Sequence, residues 1–141
     1  MTDAIKVLVV DDNPALRDLT AELLERVSEP ISVGTEANPS KVLARLSRDT
    51  FHCVVSDYHM PNMDGLELCR TVRREYPNLP YFLLSTDDEP GTIERTLEVG
   101  ATDYIHKETG IEHYRLLANR IERAVEHERV RHELEELTSG P

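Results

Sequence analysis

Short apolar runs alternate with helix-like patterns five times along the chain. A run such as Val7–Val10 is typical of a strand buried on both faces, because helices cover parallel sheets above and below. Between the runs, apolar residues recur every three or four positions, as they do on the inward side of an amphipathic helix. The pattern predicts an α/β fold with a doubly wound, five-stranded parallel sheet.

The first strand and helix carry the clearest start signals. Residues 5–10 predict a buried strand, and Asn13 followed by Pro14 is a typical beginning of a helix. This helix is predicted to carry one apolar stripe, formed by Leu16, Leu19, Leu23, Leu24 and Val27. The same start signal recurs at Asn38-Pro39, ahead of the second helix.

The remaining elements follow the same two periodicities. The second helix is predicted to turn Val42, Leu43 and Leu46 inward, and Gly100 is a natural end for the fourth helix. The predicted bounds are about 31–35, 52–57, 81–84 and 102–106 for strands two to five, and about 64–76, 89–99 and 111–137 for helices three to five. Each strand thus leads into a helix, as parallel βα units require.

The last predicted helix is longer than a domain of this size needs, and its apolar stripe fades partway. Residues 1–123 are therefore assigned to one domain and 124–141 to an extension of the last helix. In the extension, Val130, Leu134 and Leu137 keep a thin heptad spacing among charged residues. Two interpretations stay open: a short coiled coil or linker helix, or a charged, frayed tail.

The composition is strongly acidic. With 16 basic and 27 acidic residues the formal charge is −11, so the basic surface that nucleic-acid phosphates require is not expected. No apolar run approaches the roughly 20 residues of a membrane span, and the N-terminus has no signal-peptide pattern. Cys53 and Cys69 are interpreted as small buried residues in a reducing compartment. We expect a cytoplasmic protein without direct contacts to nucleic acid or membrane.

Polar side chains stand at the ends of four predicted strands. They are Asp11 and Asp12 after the first strand, Asp57 at the end of the third, Ser85 after the fourth and Lys107 after the fifth. Any one of them alone is more often a turn or cap residue than a functional one. Because the carboxyl ends of parallel strands meet at one edge of a sheet, their joint occurrence predicts a site there.

The chemistry of this set points to phosphoryl transfer. Clustered carboxylates raise one another's pKa unless a cation neutralises them, and hard oxygen ligands suit Mg²⁺. A phosphoryl donor can then be oriented against one carboxylate, with Lys107 as a positive charge and Ser85 as a hydroxyl donor. The residues alone therefore predict acyl-phosphate chemistry that depends on Mg²⁺.

Four segments carry a family resemblance: VLVVDDNP at 7–14, VVSDYHMPNMDG at 54–65, LLS at 83–85 and GATDYIHK at 100–107. In order and spacing they resemble the receiver domain of two-component response regulators, over about residues 4–123. The resemblance implies a flavodoxin-like strand order 2-1-3-4-5 and a phosphorylation-dependent signalling switch in a His-Asp phosphorelay. It implies no enzyme activity beyond self-phosphorylation and self-dephosphorylation.

The resemblance also implies roles for single residues. Asp57 is the phosphoacceptor, Ser85 and Lys107 assist its chemistry, and Ser85 with Tyr104 forms the switch pair. The implied Mg²⁺ ligands are the carboxylates of Asp11, Asp12 and Asp57 and the backbone carbonyl of His59. The implied partners are a histidine kinase or phosphotransfer protein, and a second copy through the helix 4/strand 5/helix 5 face or the C-terminal helix.

Several positions depart from the family pattern. Glu108 stands where a proline with a cis peptide bond is usual, so the loop after the fifth strand is expected to differ in shape. Ser85 replaces the commoner threonine, and Thr86 replaces a smaller residue, which narrows access to the acyl phosphate. His59 and Asp87 occupy variable positions beside the site and are expected to tune the lifetime of the phosphoryl group.

Three rival interpretations are weaker. A phosphatase of the haloacid-dehalogenase type needs a second aspartate two residues after the nucleophile, where this chain has His59. A transition-metal site would need a second His or Cys at the other strand ends. A degenerate receiver that only binds partners is disfavoured, because the acidic pair, Asp57, Ser85 and Lys107 are all present.

Overall fold

The computed structural model describes residues 3–86, 90–108 and 110–138. Its strands are β1 (Ile5–Val10), β2 (Ile31–Glu36), β3 (Cys53–Asp57), β4 (Tyr81–Ser85) and β5 (Asp103–His106). They form one parallel sheet in the spatial order β2-β1-β3-β4-β5. The predicted α/β class, parallel pairing and strand order are confirmed.

The helices alternate with the strands. They are α1 (Pro14–Val27), α2 (Val42–Arg48) after a single 3₁₀ turn at Pro39–Lys41, α3 (Gly65–Glu75), α4 (Pro90–Val99) and α5 (Ile111–Thr138). Asn13 accepts hydrogen bonds from the backbone N–H groups at the start of α1, and Asn38 caps the 3₁₀ turn in the same way. Gly100 ends α4 with a φ of +105°, a conformation that suits glycine. No helix in the described ranges is long and apolar enough to cross a membrane.

Two core layers cover the two faces of the sheet. Alternate residues of β1 belong to different layers, since successive side chains of a strand point to opposite faces. Ile5, Val7 and Val9 pack with residues of α1 and α5, whereas Leu8 and Val10 pack with residues of α2 and α3. The inward side of α2 is formed by Val42, Leu43 and Leu46, as predicted. The sheet is therefore doubly wound.

Both cysteines are buried free thiols, as predicted. Burial raises the pKa of the Cys69 thiol to about 11, and it raises the pKa of Cys53 as well. Both are therefore neutral at neutral pH and pack as small apolar residues.

The predicted apolar stripe of α1 is partly wrong. Leu16 and Leu19 are 37% and 42% exposed, while Thr20 and Leu24 are buried. With about 100° per residue, Thr20, Leu24 and Val27 lie within roughly 60° of one another, and Leu19 lies roughly 100° from that line. The helix turns Thr20, Leu24 and Val27 toward the core, which leaves Leu19 at the surface. Leu16 lies roughly 20° from Val27 around the helix and is exposed in the first turn of α1.

The long helix α5 leaves the core before it ends. Its buried residues are His113, Tyr114, Leu117, Ala118, Ile121 and Val125. Beyond Val125, Arg129 donates to the carbonyl of Ala4 at 2.7 Å, and Arg131 pairs with Glu128 and Glu135. A cavity of about 670 Å³ lies between this part of α5 and the loop before β4. The predicted fading of the apolar stripe is confirmed.

Candidate functional site

Three aspartates meet at one edge of the sheet. Asp11 and Asp12 directly follow β1, and Asp57 is the last residue of β3, the neighbouring strand. One carboxylate oxygen of each lies within 4.8 Å of the others. The parallel topology brings them together, since the chain leaves both strands at the same edge.

Lys107 supplies the positive charge next to these carboxylates. Its Nζ lies 3.2 Å from Oδ1 of Asp57 and 3.8 Å from Oδ2 of Asp11. The backbone N–H of Lys107 donates to the carbonyl of Ser85 at 2.8 Å, which extends the pairing of β4 and β5 beyond β5 itself. The ammonium group therefore bridges two of the three acids, as its predicted position after the fifth strand required.

Asp11 is the most buried acid of the cluster, at 5% exposure. Burial raises the pKa of its carboxyl group, and the nearby Asp57 and Asp12 raise it further. A hydrogen bond from the backbone N–H of Asn13, 2.9 Å long, and the charge of Lys107 act in the opposite direction. One lysine thus leaves the pKa raised, and a further cation at this edge would stabilise the ionised form of Asp11.

Backbone hydrogen bonds hold both ends of the loop after Asp57. The N–H of Tyr58 donates to the carbonyl of Leu84, and the N–H of Gly65 donates to the carbonyl of Tyr58, both at 2.9 Å. Asp64 then caps α3 by accepting a hydrogen bond from the N–H of Glu67. His59, whose carbonyl is a predicted metal ligand, lies in this loop with its side chain exposed.

The predicted switch pair lies on neighbouring strands. Ser85 is fully buried at the end of β4, and Tyr104 on β5 is half-buried against the core layer of α2 and α3. A cavity of about 400 Å³ borders Tyr104 and is lined further by residues such as His106, Glu108 and Leu116. The two residues occupy the predicted places, and their role as a switch stays a prediction.

The departures from the family pattern lie around this edge. Thr86 is exposed, and Glu108 follows Lys107 without a cis peptide bond anywhere in the described part of the chain. Asp87 lies outside the described residues. The loop that Glu108 begins therefore lacks the cis bond that is usual at this position.

The acidic cluster fits a hard divalent cation. Its ligand atoms are all carboxylate oxygens, which Mg²⁺ prefers, and they lie close enough to share one ion. Lys107 is one positive charge beside three carboxylates, and burial, with a smaller contribution from Asp57 and Asp12, raises the pKa of Asp11. Asp11, Asp12 and Asp57 are therefore the side chains that would hold the metal.

Three residues of the site were not singled out from the sequence. Ser56 and Tyr81 are fully buried. Ser56 donates a hydrogen bond to the carbonyl of Asp57, and Tyr81 donates one to the carbonyl of Gly65. Gly65 lies so close to the end of β3 that a Cβ would meet the Asp57 carbonyl at 2.4 Å. Gly65 belongs to the MDG motif, but no local pattern marks Ser56 or Tyr81.

Comparison with known proteins gives a consistent family. The family described as "Response regulator receiver domain" matches residues 7–119 of the chain. The chain is 37% identical over 111 residues to the "Two-component response regulator ORR22" of Oryza sativa subsp. japonica, covering 79% of this chain and 16% of that protein. It is 36% identical over 106 residues to the "Putative two-component response regulator ARR13" of Arabidopsis thaliana, covering 73% and 18%. The chain thus spans less than a fifth of these relatives' length.

Solved structures share the fold over nearly their whole length. The chemotaxis protein CheY4 of Vibrio cholerae has a TM-score of 0.76 at 29% identity, covering 84% of this chain and 98% of that one. A BeF3-activated DrrB receiver domain has a TM-score of 0.74 at 28% identity, with coverage of 87% and 98%. A CheY-like receiver domain protein from Methanospirillum hungatei JF-1 reaches 0.80 at 24% identity, with 92% and 99% covered, and supports the fold alone.

Proposed function

The chain belongs to the response regulator receiver family, and we propose that it is a two-component signalling switch that accepts a phosphoryl group on Asp57. The observation that carries this proposal is the convergence of Asp11, Asp12 and Asp57 within 4.8 Å, with Lys107 against Asp57. No other arrangement of acids within the described residues brings three possible ligands this close.

The proposed reaction is a transfer onto a carboxylate oxygen. An oxygen of Asp57 attacks the phosphorus of the donor, a new O–P bond forms, and the leaving group departs with the electron pair of its own bond to phosphorus. Lys107, already 3.2 Å from Asp57, offsets the negative charge that gathers on the phosphoryl oxygens. Mg²⁺ held by the acidic cluster would supply further positive charge to offset the charge on the phosphoryl oxygens.

The metal ligands proposed are the carboxylates of Asp11, Asp12 and Asp57 and the backbone carbonyl of His59. The family resemblance implies that Asp11 acts mostly through water, and one of its oxygens already accepts the N–H of Asn13. The tied-down loop after Asp57 supports a fixed position for the His59 carbonyl.

The proposed switch is the movement of Ser85 toward the phosphoryl group, followed by the ring of Tyr104. The half-buried state of Tyr104 and the cavity beside it support a ring that has room to move. The surface that changes is the one formed by α4, β5 and α5.

We further propose the setting of this switch. The donor is a histidine kinase or phosphotransfer protein, and the only chemistry of the chain is the gain and loss of its own phosphoryl group. Direct nucleic-acid binding is not expected from a net charge of −11. The cytoplasmic location stays a prediction from the sequence.

Residues 124–141 are proposed as a linker or short coiled coil beyond a receiver of residues 1–123. Val130, Leu134 and Leu137 are 44%, 57% and 80% exposed on the side of α5 that faces away from its own core. A second copy is one partner that would bury them, and Leu97 and Leu116 offer the alternative contact on the α4/β5/α5 face.

Light scattering on variants separates these two contacts. If the C-terminal helix pairs, Leu134→Glu is expected to turn a dimer into a monomer, because it places a charge in the apolar seam. If the α4/β5/α5 face pairs, Leu116→Glu is expected to do so. Leu19→Glu is the control, because Leu19 is a similarly exposed leucine on α1. A wild-type chain that stays monomeric with and without phosphorylation would contradict both contacts.

Dependence on Mg²⁺ is the test of the proposed function. Incubation with acetyl phosphate and Mg²⁺ is expected to add the mass of one phosphoryl group to the intact chain. EDTA is expected to prevent the gain, because the three carboxylates then repel the anionic donor. A gain that is equally fast with EDTA, or no gain together with no calorimetric signal for Mg²⁺ binding, would contradict the proposal.

A further inference from the structure

Two buried hydroxyl groups donate hydrogen bonds to the backbone around the phosphoacceptor. Oγ of Ser56 donates to the carbonyl of Asp57 at 2.9 Å, and the hydroxyl of Tyr81 donates to the carbonyl of Gly65 at 2.9 Å. Ser56 and Tyr81 both have 0% exposure. A buried hydroxyl group costs free energy unless it is hydrogen-bonded, so each of these two groups depends on the backbone carbonyl to which it donates.

The register of the sheet explains how Tyr81 reaches this place. Tyr81 is the first residue of β4 and lies opposite Val54 on β3, at the start of that strand. Val54 and Ser56 lie on the same face, about 6.6 Å apart along the strand, which is roughly the length of a tyrosine side chain. The Tyr81 side chain therefore reaches toward Ser56. Its hydroxyl meets the carbonyl of Gly65, and a Cβ on Gly65 would lie 3.0 Å from Oγ of Ser56.

These groups act on the backbone that follows Asp57. The peptide unit between Asp57 and Tyr58 is held at both ends, because its carbonyl accepts from Ser56 and its N–H donates to the carbonyl of Leu84. The carbonyl of the next unit, that of Tyr58, accepts from the N–H of Gly65. Tyr81 in turn holds Gly65 through its carbonyl. Ser56 thus holds the first peptide unit after the phosphoacceptor directly. Tyr81 holds Gly65, which in turn holds the carbonyl of the second unit.

We propose that Ser56 and Tyr81 are positioning residues for phosphorylation of Asp57: their hydroxyl groups orient the two peptide units after Asp57 and thereby the His59 carbonyl for Mg²⁺. The inference rests on the proposed function. Neither hydroxyl group touches the phosphoryl group; both act through the backbone, and a shift of a few tenths of an ångström there weakens metal coordination, because Mg²⁺ demands near-ideal octahedral geometry.

The test uses Tyr81→Phe and Ser56→Ala in the full chain, which remove the hydroxyl groups and keep most of the packing. The control is Tyr114→Phe, a buried tyrosine on α5, the helix whose Leu117 and Ile121 belong to the opposite core layer. For each protein, calorimetry gives the Kd for Mg²⁺, and intact mass gives the phosphorylation rate at saturating Mg²⁺ with acetyl phosphate. Urea unfolding gives the stability separately.

Tyr81→Phe and Ser56→Ala are each expected to raise the Kd for Mg²⁺ about threefold to tenfold, the worth of one net hydrogen bond, and to slow phosphorylation at saturating Mg²⁺. The double variant is expected to change the Kd by less than the product of the single effects, because both hydroxyl groups hold one backbone segment. Tyr114→Phe is expected to leave Kd and rate unchanged.

A purely structural role predicts a different result. Both variants would then unfold at lower urea concentration while the Kd and the rate at saturating Mg²⁺ stay at wild-type values, and this outcome would overturn the inference. If the wild-type chain itself neither binds Mg²⁺ nor gains a phosphoryl group, the proposed function fails and this inference fails with it. Normal wild-type behaviour with unaffected variants overturns the positioning role alone.

Discussion

Asp57→Asn is expected to abolish Mg²⁺-dependent phosphorylation of the chain by acetyl phosphate. The amide of asparagine has no carboxylate oxygen to attack phosphorus, and no acyl phosphate forms from it. The substitution also removes one of the three negative charges of the cluster and the ion pair with Lys107. Because these two losses oppose each other, the free energy of unfolding is expected to change by about 1 kcal/mol or less.

The matched control for this variant is Asp64→Asn. Asp64 lies in the same loop, outside the cluster, and caps α3 by accepting the N–H of Glu67 at 2.8 Å. Asparagine caps helices about as well as aspartate, so this variant is expected to keep both stability and phosphorylation. The assignment of Asp57 would be wrong if Asp57→Asn still gained a phosphoryl group in a Mg²⁺-dependent manner.

Gly65→Ala is expected to destabilise the protein by about 2 to 3 kcal/mol, although alanine is the better helix former. A Cβ at this position would meet the backbone oxygen of Asp57 at 2.4 Å and Cδ1 of Leu83 at 2.5 Å. A backbone atom cannot rotate away as a side chain can, so the start of α3 must move off the end of β3. That movement disturbs the loop after Asp57, and phosphorylation is expected to slow as well.

Urea unfolding of Gly65→Ala beside Gly91→Ala measures this effect. Gly91 lies in the first turn of α4, and a Cβ there would meet nothing closer than 3.6 Å. Gly91→Ala is therefore expected to be neutral or to stabilise by up to about 1 kcal/mol. A Gly65→Ala variant as stable as wild type would show that α3 does not rest on the Asp57 carbonyl.

Features that depend on local sequence were predictable. Asn13 and Asn38 cap because their side chains reach N–H groups two or three residues away, and Gly100 ends α4 through its own φ. The convergence of Asp11 and Asp57 was predictable for a related reason: parallel strands end at one edge, so the position of a residue at a strand end is enough to place it.

Features that depend on packing across the molecule were not predictable. On α1, Leu19 extends the apolar pattern, but the side of the helix that faces the core depends on its packing against α5 and β2, and Thr20 is buried instead. The sequence alone predicts Tyr81 to be one more apolar residue of a buried strand. Its hydroxyl gains a role only because the register with β3 carries it to Gly65.

The degree of burial within the acidic cluster was likewise not readable from the sequence. Asp11 and Asp12 are adjacent, yet Asp11 is buried and Asp12 is exposed, since successive residues leave a strand in different directions. The raised pKa of Asp11 follows from that burial first and from its acidic neighbours second. The sequence predicted that these carboxylates lie together, and the structure shows which of them is buried.

The most direct test of the central claim is to locate the phosphoryl group in the wild-type chain. After reaction with acetyl phosphate and Mg²⁺, borohydride reduces an aspartyl phosphate to homoserine, and peptide mass spectrometry then finds the altered position. We expect homoserine at position 57 alone. Homoserine at position 11 or 12, or a phosphoryl group retained on a serine, threonine or histidine after reduction, would contradict it.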